Sequence, residues 1–162
     1  MDDANVPSLL SLPLLDPDRL LIDEALYAST RAFLLSKHHP YYYCDKHGGN
    51  CGIGSPHTPE GFVWPMSLIV QLATSSDQHE RQRCLAQLLA SSTPIGDRHK
   101  NMGWSAPLKE LAARGVDLDE PMLHESFDPS APTDAYTRNF FAWVAGLFSR
   151  YACEPCYASA RK

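Results

Sequence analysis

The sequence predicts a mainly α-helical protein whose loops carry the polar chemistry, with one short β-hairpin or extended loop near residues 41–55. Three observations point there. Apolar residues recur at helical spacing over four stretches, beginning near Asp18, Pro65, Asp77 and Thr137. Tyr41-Tyr42-Tyr43 and the segment up to Ile53 favour extended backbone around a turn. Between residues 48 and 65, glycine or proline occupies eight positions, too many for a regular element. No internal repeat is visible.

The elements follow in order. The chain opens directly in what reads as a helical element: Asp3 or Asn5 as cap, Pro7 near the first turn, then Leu9, Leu10 and Leu12. A second helix is predicted from Asp18 to Leu35, on the spacing of Leu20, Leu21, Ala25, Tyr27, Ala28, Ala32 and Leu35, with Asp16 or Asp18 as cap. His38-His39-Pro40 ends it, because the residue before a proline is pushed out of the helical region. The irregular stretch 48–65 is long for a compact domain, which marks it as functional.

Pro65–Thr74 reads as a mostly buried helix with proline in its first turn. Ser76 is placed to cap a helix from Asp77 to Ser91, with Cys84, Leu85, Leu88 and Leu89 on its apolar side. Thr93–Pro121 is polar and irregular, apart from one short helix, Pro107–Arg114, between Ser105 as cap and Gly115 as stop. The last helix is predicted from about Thr137 to Tyr151. Its apolar positions, Phe140, Phe141, Trp143, Val144, Leu147, Phe148 and Tyr151, run nearly all the way round, so it is expected to be buried on most sides.

Composition excludes several classes. A chain of 162 residues, 44% hydrophobic, suits one ordinary domain and not a disordered one. The longest apolar stretch, Phe140–Phe148, is far short of the ~20 residues that span a bilayer. Fourteen basic against nineteen acidic residues argue against a nucleic-acid partner. The start, Met1-Asp2-Asp3-Ala4-Asn5, has no basic or apolar region of a signal peptide, so none is expected in this chain.

Five cysteines cannot all pair internally. Cys153 and Cys156 form a C-x-x-C, but no second ligand pair accompanies it and no strand precedes it, as a zinc or redox site would need. Cys44 and Cys51 flank a turn-like stretch, residues 46–50, which leaves open a small disulfide loop.

Two motifs carry chemistry. In His124-Glu125-Ser126-Phe127, a zincin would need histidine four positions after His124, and Asp128 stands there. Glu125 beside a histidine and an aromatic ring suits a general base or acid, since burial raises a carboxyl pKa and proton transfer needs such tuning. A solvated helix-cap glutamate is the plainer alternative. Gly52-Ile53-Gly54-Ser55-Pro56-His57 satisfies neither the dinucleotide fingerprint nor the hydrolase nucleophile elbow, because Ile53 and His57 stand where glycines are required. Its glycines still allow close backbone approach to a ligand. Trp64, Phe62 and Tyr41–Tyr43 suit either stacking on sugar faces or a core.

Four blocks, taken in order, resemble glycoside hydrolase family 125, the exo-acting α-mannosidases. They are Met1–Pro13; Tyr41–Tyr43 with Gly52–Thr58; Val63–Gln71; and His124–Phe127 with Thr137–Phe148. The resemblance implies an (α/α)6 barrel, of which residues 1–151 would be the C-terminal part, with an insertion at 93–121 and a tail at 152–162. It implies inverting, metal-independent removal of terminal α-1,6-linked mannose, with an α-mannoside glycan as partner and no cofactor. Glu125 matches the family's general base. The general acid is an aspartate in a block upstream of the one at Met1, so it is expected to be absent here, and Asp2 and Asp3 match a different block. Asp3, Asn5, His57, Trp64, His124 and Arg138 match positions expected to line the sugar pocket, with Arg138 equally suited to pairing with a buried carboxylate.

Two departures stand out. Phe140 replaces a tryptophan of the family, and Ala145 replaces an asparagine, which removes a hydrogen-bonding side chain. Two readings of function follow. One is an exo-α-1,6-mannosidase lineage with Glu125 as base. The other is a catalytically incomplete fragment or sugar-binding remnant that lacks the general acid. A helical interaction domain without sugar chemistry is the third, and it requires the glycine-rich loop and Glu125 to lie on separate faces. Twelve barrel helices need well over 162 residues, so the chain is expected to belong to a larger domain, with any targeting segment upstream.

Overall fold

The structure is a computed structural model that describes residues 4–95, 109–110, 112–138 and 141–153, with Cys153 described by its backbone alone. It is mainly helical, and its packed helices are consistent with part of an all-α barrel-like fold. The elements are α1 (Leu12–Leu15), α2 (Glu24–Leu34), β1 (Tyr42–Cys44), β2 (Cys51–Ile53), α3 (Pro65–Thr74), α4 (Gln78–Ala90), β3 (Thr93–Pro94), β4 (Pro121–Met122), β5 (Ser126–Phe127), β6 (Tyr136–Thr137) and α5 (Ala142–Phe148), which runs into a π-helical turn, Ser149–Cys153.

α3 has the predicted bounds, and it is the centre of the fold. Pro65 starts it, and all of Pro65–Val70 is buried. One side meets Leu88 of α4, Leu123, Phe127 and Val144 of α5. The other joins Val70 to Ala4, Leu10, Leu34 and Ile53. The Ser67 hydroxyl bonds to the carbonyls of Ile53 (2.8 Å) and Trp64 (2.7 Å), so this buried polar group is satisfied.

The hairpin also forms. Tyr42 pairs with Ile53, and Cys44 with Cys51, and the two cysteines are joined by a disulfide. Its six-residue turn is organised by Asp45, whose carboxylate accepts from the backbone N–H groups of His47, Gly49 and Asn50. Those N–H groups, led by that of Gly49, hold the Asp45 pKa below its ordinary value against a smaller opposing effect of burial.

Several boundaries differ from expectation. α2 starts at Glu24 and not near Asp18, because Asp23 is the cap and accepts from Leu26 N at 2.9 Å. Asp16 instead accepts from Leu21 N (2.8 Å) in the loop before it. α1 is four residues long and follows Ser11, so Asn5 and Pro7 precede the helix and do not start it. α4 is capped by Asp77, which accepts from His79 N at 2.9 Å, and not by Ser76. Cys84 and Leu88 are buried on it, while Leu85 and Leu89 face outward.

The last helix starts at Ala142, because Tyr136 and Thr137 are drawn into a strand pair with β5. Only Val144 on it is buried, and Trp143 is 47% exposed. In the polar stretch 93–121, residues 109–110 and 112–113 are helical and Gly115 turns the chain with φ +81°. Ser105 and Pro107 lie outside the described residues. Thr93 pairs with Met122 and Pro94 with Pro121, so the chain leaves and returns at one point.

Apolar exposure gathers on the segment from Leu9 through α1, on α2 and on the loop between the two helices. Leu9, Leu15, Leu20, Leu21, Leu26 and Phe33 are each more than half exposed there. Two adjoining clefts of about 670 and 400 Å³ run along this face. Neither is lined by Glu125.

Among the described residues, no helix is long and apolar enough to cross a membrane.

Candidate active site

Glu125 immediately precedes β5, where three short backbone pairings meet. Val63 pairs with Phe127 through N–H to O bonds of 2.8 and 3.0 Å. Ser126 pairs with Thr137, and Phe127 with Tyr136. The N–H of Glu125 is shared between the carbonyls of Thr137 (3.2 Å) and Arg138 (3.1 Å). Arg138 has φ +31°, a left-handed conformation that a side-chain-bearing residue adopts at a cost. The chain turns there, and this places both carbonyls against one N–H.

The carboxylate is buried, 9% exposed as a residue, and is held through one oxygen. Thr137 Oγ1 donates to Oε2 at 3.1 Å, and Arg138 Nε lies 3.5 Å from the same atom. The Arg138 side chain is 71% exposed, so solvent screens the ion pair to about 1 kcal/mol or less. A hydrogen bond to a charged acceptor contributes about 1.5–3 kcal/mol. Thr137 is therefore the stronger hold, and Arg138 is the weaker, solvent-screened partner of the same oxygen.

His124 points elsewhere. It is 2% exposed, and its ring stacks on that of Tyr136 with centroids 3.6 Å apart and planes nearly parallel. Its Nε2 lies 3.0 Å from Thr93 Oγ1, 31 residues back in sequence. It braces the strand that presents Glu125.

Trp64 is 4% exposed and packs edge-on against Trp143 at 6.4 Å between centroids. Its Nε1 is buried with no hydrogen-bond partner among the described residues. Trp64 N donates to Ile53 O at 3.0 Å. The glycine-rich segment is thus linked through Val63-Trp64 to the strand of Glu125. This counts against the interaction-domain reading, which needs the two on separate faces.

Close packing explains two glycines. A Cβ on Gly52 would meet Val63 Cγ1 at 2.5 Å, and one on Gly54 would collide with the Phe62 carbonyl oxygen and lie 2.8 Å from the Tyr43 ring. Their freedom serves backbone packing behind the site.

Of the other expected pocket residues, His57 is exposed and Asn5 half-buried, and neither makes a side-chain hydrogen bond to Glu125. Asp3 lies outside the described residues, as do Asn139, Phe140 and Cys156. Ala145 lies on α5. Thr93, Ser126, Tyr136 and Thr137 surround Glu125 and His124, yet were not expected as site residues. Tyr136-Thr137, an aromatic and a β-branched residue before a polar turn, was the available strand signal. Among the described residues, no group of three or more His, Cys, Asp or Glu side chains is placed to hold a metal ion.

The comparisons agree on one lineage. A family profile for metal-independent alpha-mannosidase (GH125) matches residues 1–109, a span that stops short of Glu125. The Meiotically up-regulated gene 157 protein of Schizosaccharomyces pombe is 38% identical over 151 residues, covering 92% of this chain and 24% of that protein. A solved Streptococcus pneumoniae structure, described as a metal-independent alpha mannosidase in a non-productive substrate complex with alpha-1,6-mannobiose, is 32% identical. It superposes with a TM-score of 0.64 over 93% of this chain and 29% of its own. This chain thus spans about a quarter of the length of these relatives. It belongs to the metal-independent alpha-mannosidase family, GH125.

Proposed function

We propose that this chain carries the general-base side of an inverting site for terminal α-1,6-linked mannose, with Glu125 as the base. On its own it binds such a mannoside without cleaving it. The observation that carries the reading is a buried carboxylate on the residue just before a short strand, held by Thr137 and Arg138, in a chain of this family. The mannobiose bound to the Streptococcus pneumoniae relative supports the substrate class.

In the complete reaction, Glu125 takes a proton from water, and the water oxygen bonds to the anomeric carbon. The bond from that carbon to the leaving oxygen breaks, and a second carboxylic acid protonates that oxygen. The two carboxyl groups of such a site stand roughly 6.5–9.5 Å apart. We read the helices as C-terminal helices of an (α/α)6 barrel. Residues 93–121 are an insertion clamped by β3 and β4, and 152–162 are a tail.

The test mixes the purified chain with α-1,6-mannobiose at stoichiometric concentration. Binding by titration calorimetry, without free mannose, is expected. Single-turnover mannose release would overturn the non-cleaving part, and absence of both binding and release would overturn the site.

A further inference from the structure

We infer that Thr137 is the positioning residue of Glu125, and that Oε1 is the oxygen left to receive the proton. This rests on the reading of Glu125 as general base. Ser126 Oγ and Thr137 Oγ1 are 2.7 Å apart, and Thr137 Oγ1 is 3.1 Å from Glu125 Oε2. A hydroxyl has one proton to donate, and an ionised carboxylate only accepts. Thr137 therefore gives its proton to Oε2 and accepts from Ser126, so the chain runs from Ser126 through Thr137 to Glu125. The reverse direction would set two acceptors against each other.

Ser126 is fully buried, and both hydroxyls are fixed by the pairing of β5 with β6. Backbone and side chain of Glu125 are thus held by the same two residues, since its N–H goes to the carbonyls of Thr137 and Arg138. Arg138 Nε lies 3.5 Å from Oε2 as well, so both side-chain partners engage that one oxygen. Oε1 makes no hydrogen bond among the described residues. It remains the basic atom, and Thr137 sets its direction.

The test compares two probes on the 162-residue chain by titration calorimetry. One is α-1,6-mannobiose, which is neutral. The other is a mannose-configured piperidine iminosugar, whose protonated ring nitrogen needs a correctly aimed carboxylate. Thr137→Val should weaken the iminosugar about tenfold, the scale of one hydrogen bond to a charged group, and leave mannobiose affinity unchanged. Thr137→Ser should restore the iminosugar to within about twofold. A merely structural role would weaken both probes together and would overturn the inference. So would unchanged iminosugar affinity in the valine variant, with the reading of Glu125 left standing. No iminosugar binding by the unsubstituted chain would overturn that reading itself. If the valine variant does not fold, the same comparison on Thr137→Ala, which also removes the hydroxyl, decides, with selective loss of the iminosugar expected and its absence overturning the inference.

Discussion

Arg31 on α2 reaches Glu80 on α4 at 2.6 Å, with the two side chains only 17% and 16% exposed. The same arginine bonds Thr74 Oγ1 at 3.1 Å, and Glu80 accepts from Gln71 Nε2 at 2.8 Å and from Ser75 Oγ. One polar cluster therefore ties α2, α3 and α4 together. Burial alone would push the Glu80 carboxyl up, but the hydrogen bonds from Ser75 and Gln71, with the Arg31 charge, outweigh it and hold the pKa below its ordinary value.

A carboxyl with a lower pKa in the folded state stabilises the protein above its unfolded value. That contribution disappears as pH falls through the folded value. Stability should therefore drop on acidification below about pH 4.3, the ordinary glutamate value. Glu80→Gln should lower stability at pH 7 by about 1–3 kcal/mol and flatten the acid limb. Urea titrations of both proteins from pH 7 to 3 check this, and parallel curves would contradict it.

Gly54→Ala tests the packing behind the site. The new methyl would press into the Phe62 carbonyl oxygen and the Tyr43 ring, and backbone cannot swing aside as a side chain can. A loss of about 2–3 kcal/mol is expected in chemical denaturation. Gly48→Ala, where nothing lies within 4 Å but φ is +71°, should cost only the backbone strain, about 1 kcal/mol.

Cys84 should behave as an inert thiol. Burial first, and then the neighbouring Glu80 charge, push its pKa up to about 12. Thiolate is the reactive form, so native-state alkylation at pH 8 should leave Cys84 unmodified until denaturant is added. Peptide mass spectrometry reads the site directly, and rapid native labelling would show that the α4 face opens.

Two leucines near each other in sequence should respond in opposite ways. Leu10 is fully buried against Leu34 and Val70, so Leu10→Ala should cost about 2–5 kcal/mol. Leu21 is 91% exposed, so Leu21→Lys should change stability by about 0.5 kcal/mol or less. Thermal unfolding of the two variants side by side separates the cases.

The accuracy of the sequence reading followed the range of the signal. Pro65–Thr74 has proline at its first turn and an unbroken apolar run, both local, and the helix has those bounds. The hairpin has adjacent aromatic strand formers and a glycine turn. By contrast, Asp16, Asp18 and Asp23 all suit a cap, and the folded chain uses Asp23, which accepts from Leu26 N, while Asp16 accepts from Leu21 N in the preceding loop. Two-residue strands are too short to show alternation, so β3, β4 and β5 leave no periodic pattern, and the residue types of Tyr136-Thr137 are the one local sign of β6, against which the helical spacing that follows places Thr137 in a helix.

The sequence by itself determined the central helix and the hairpin, because each rests on residue types at close spacing; the family was legible as four blocks in order along the chain, and Glu125 is proposed as the base through that resemblance. The tertiary structure decided what holds that glutamate. Thr137 is 12 residues away from it, and Thr93 is 31 residues from His124. Such partners are selected when β5 pairs with β6 and with Val63, and when β3 closes on β4. Hydrogen bonds of that range depend on how the whole chain packs, and no local pattern records them.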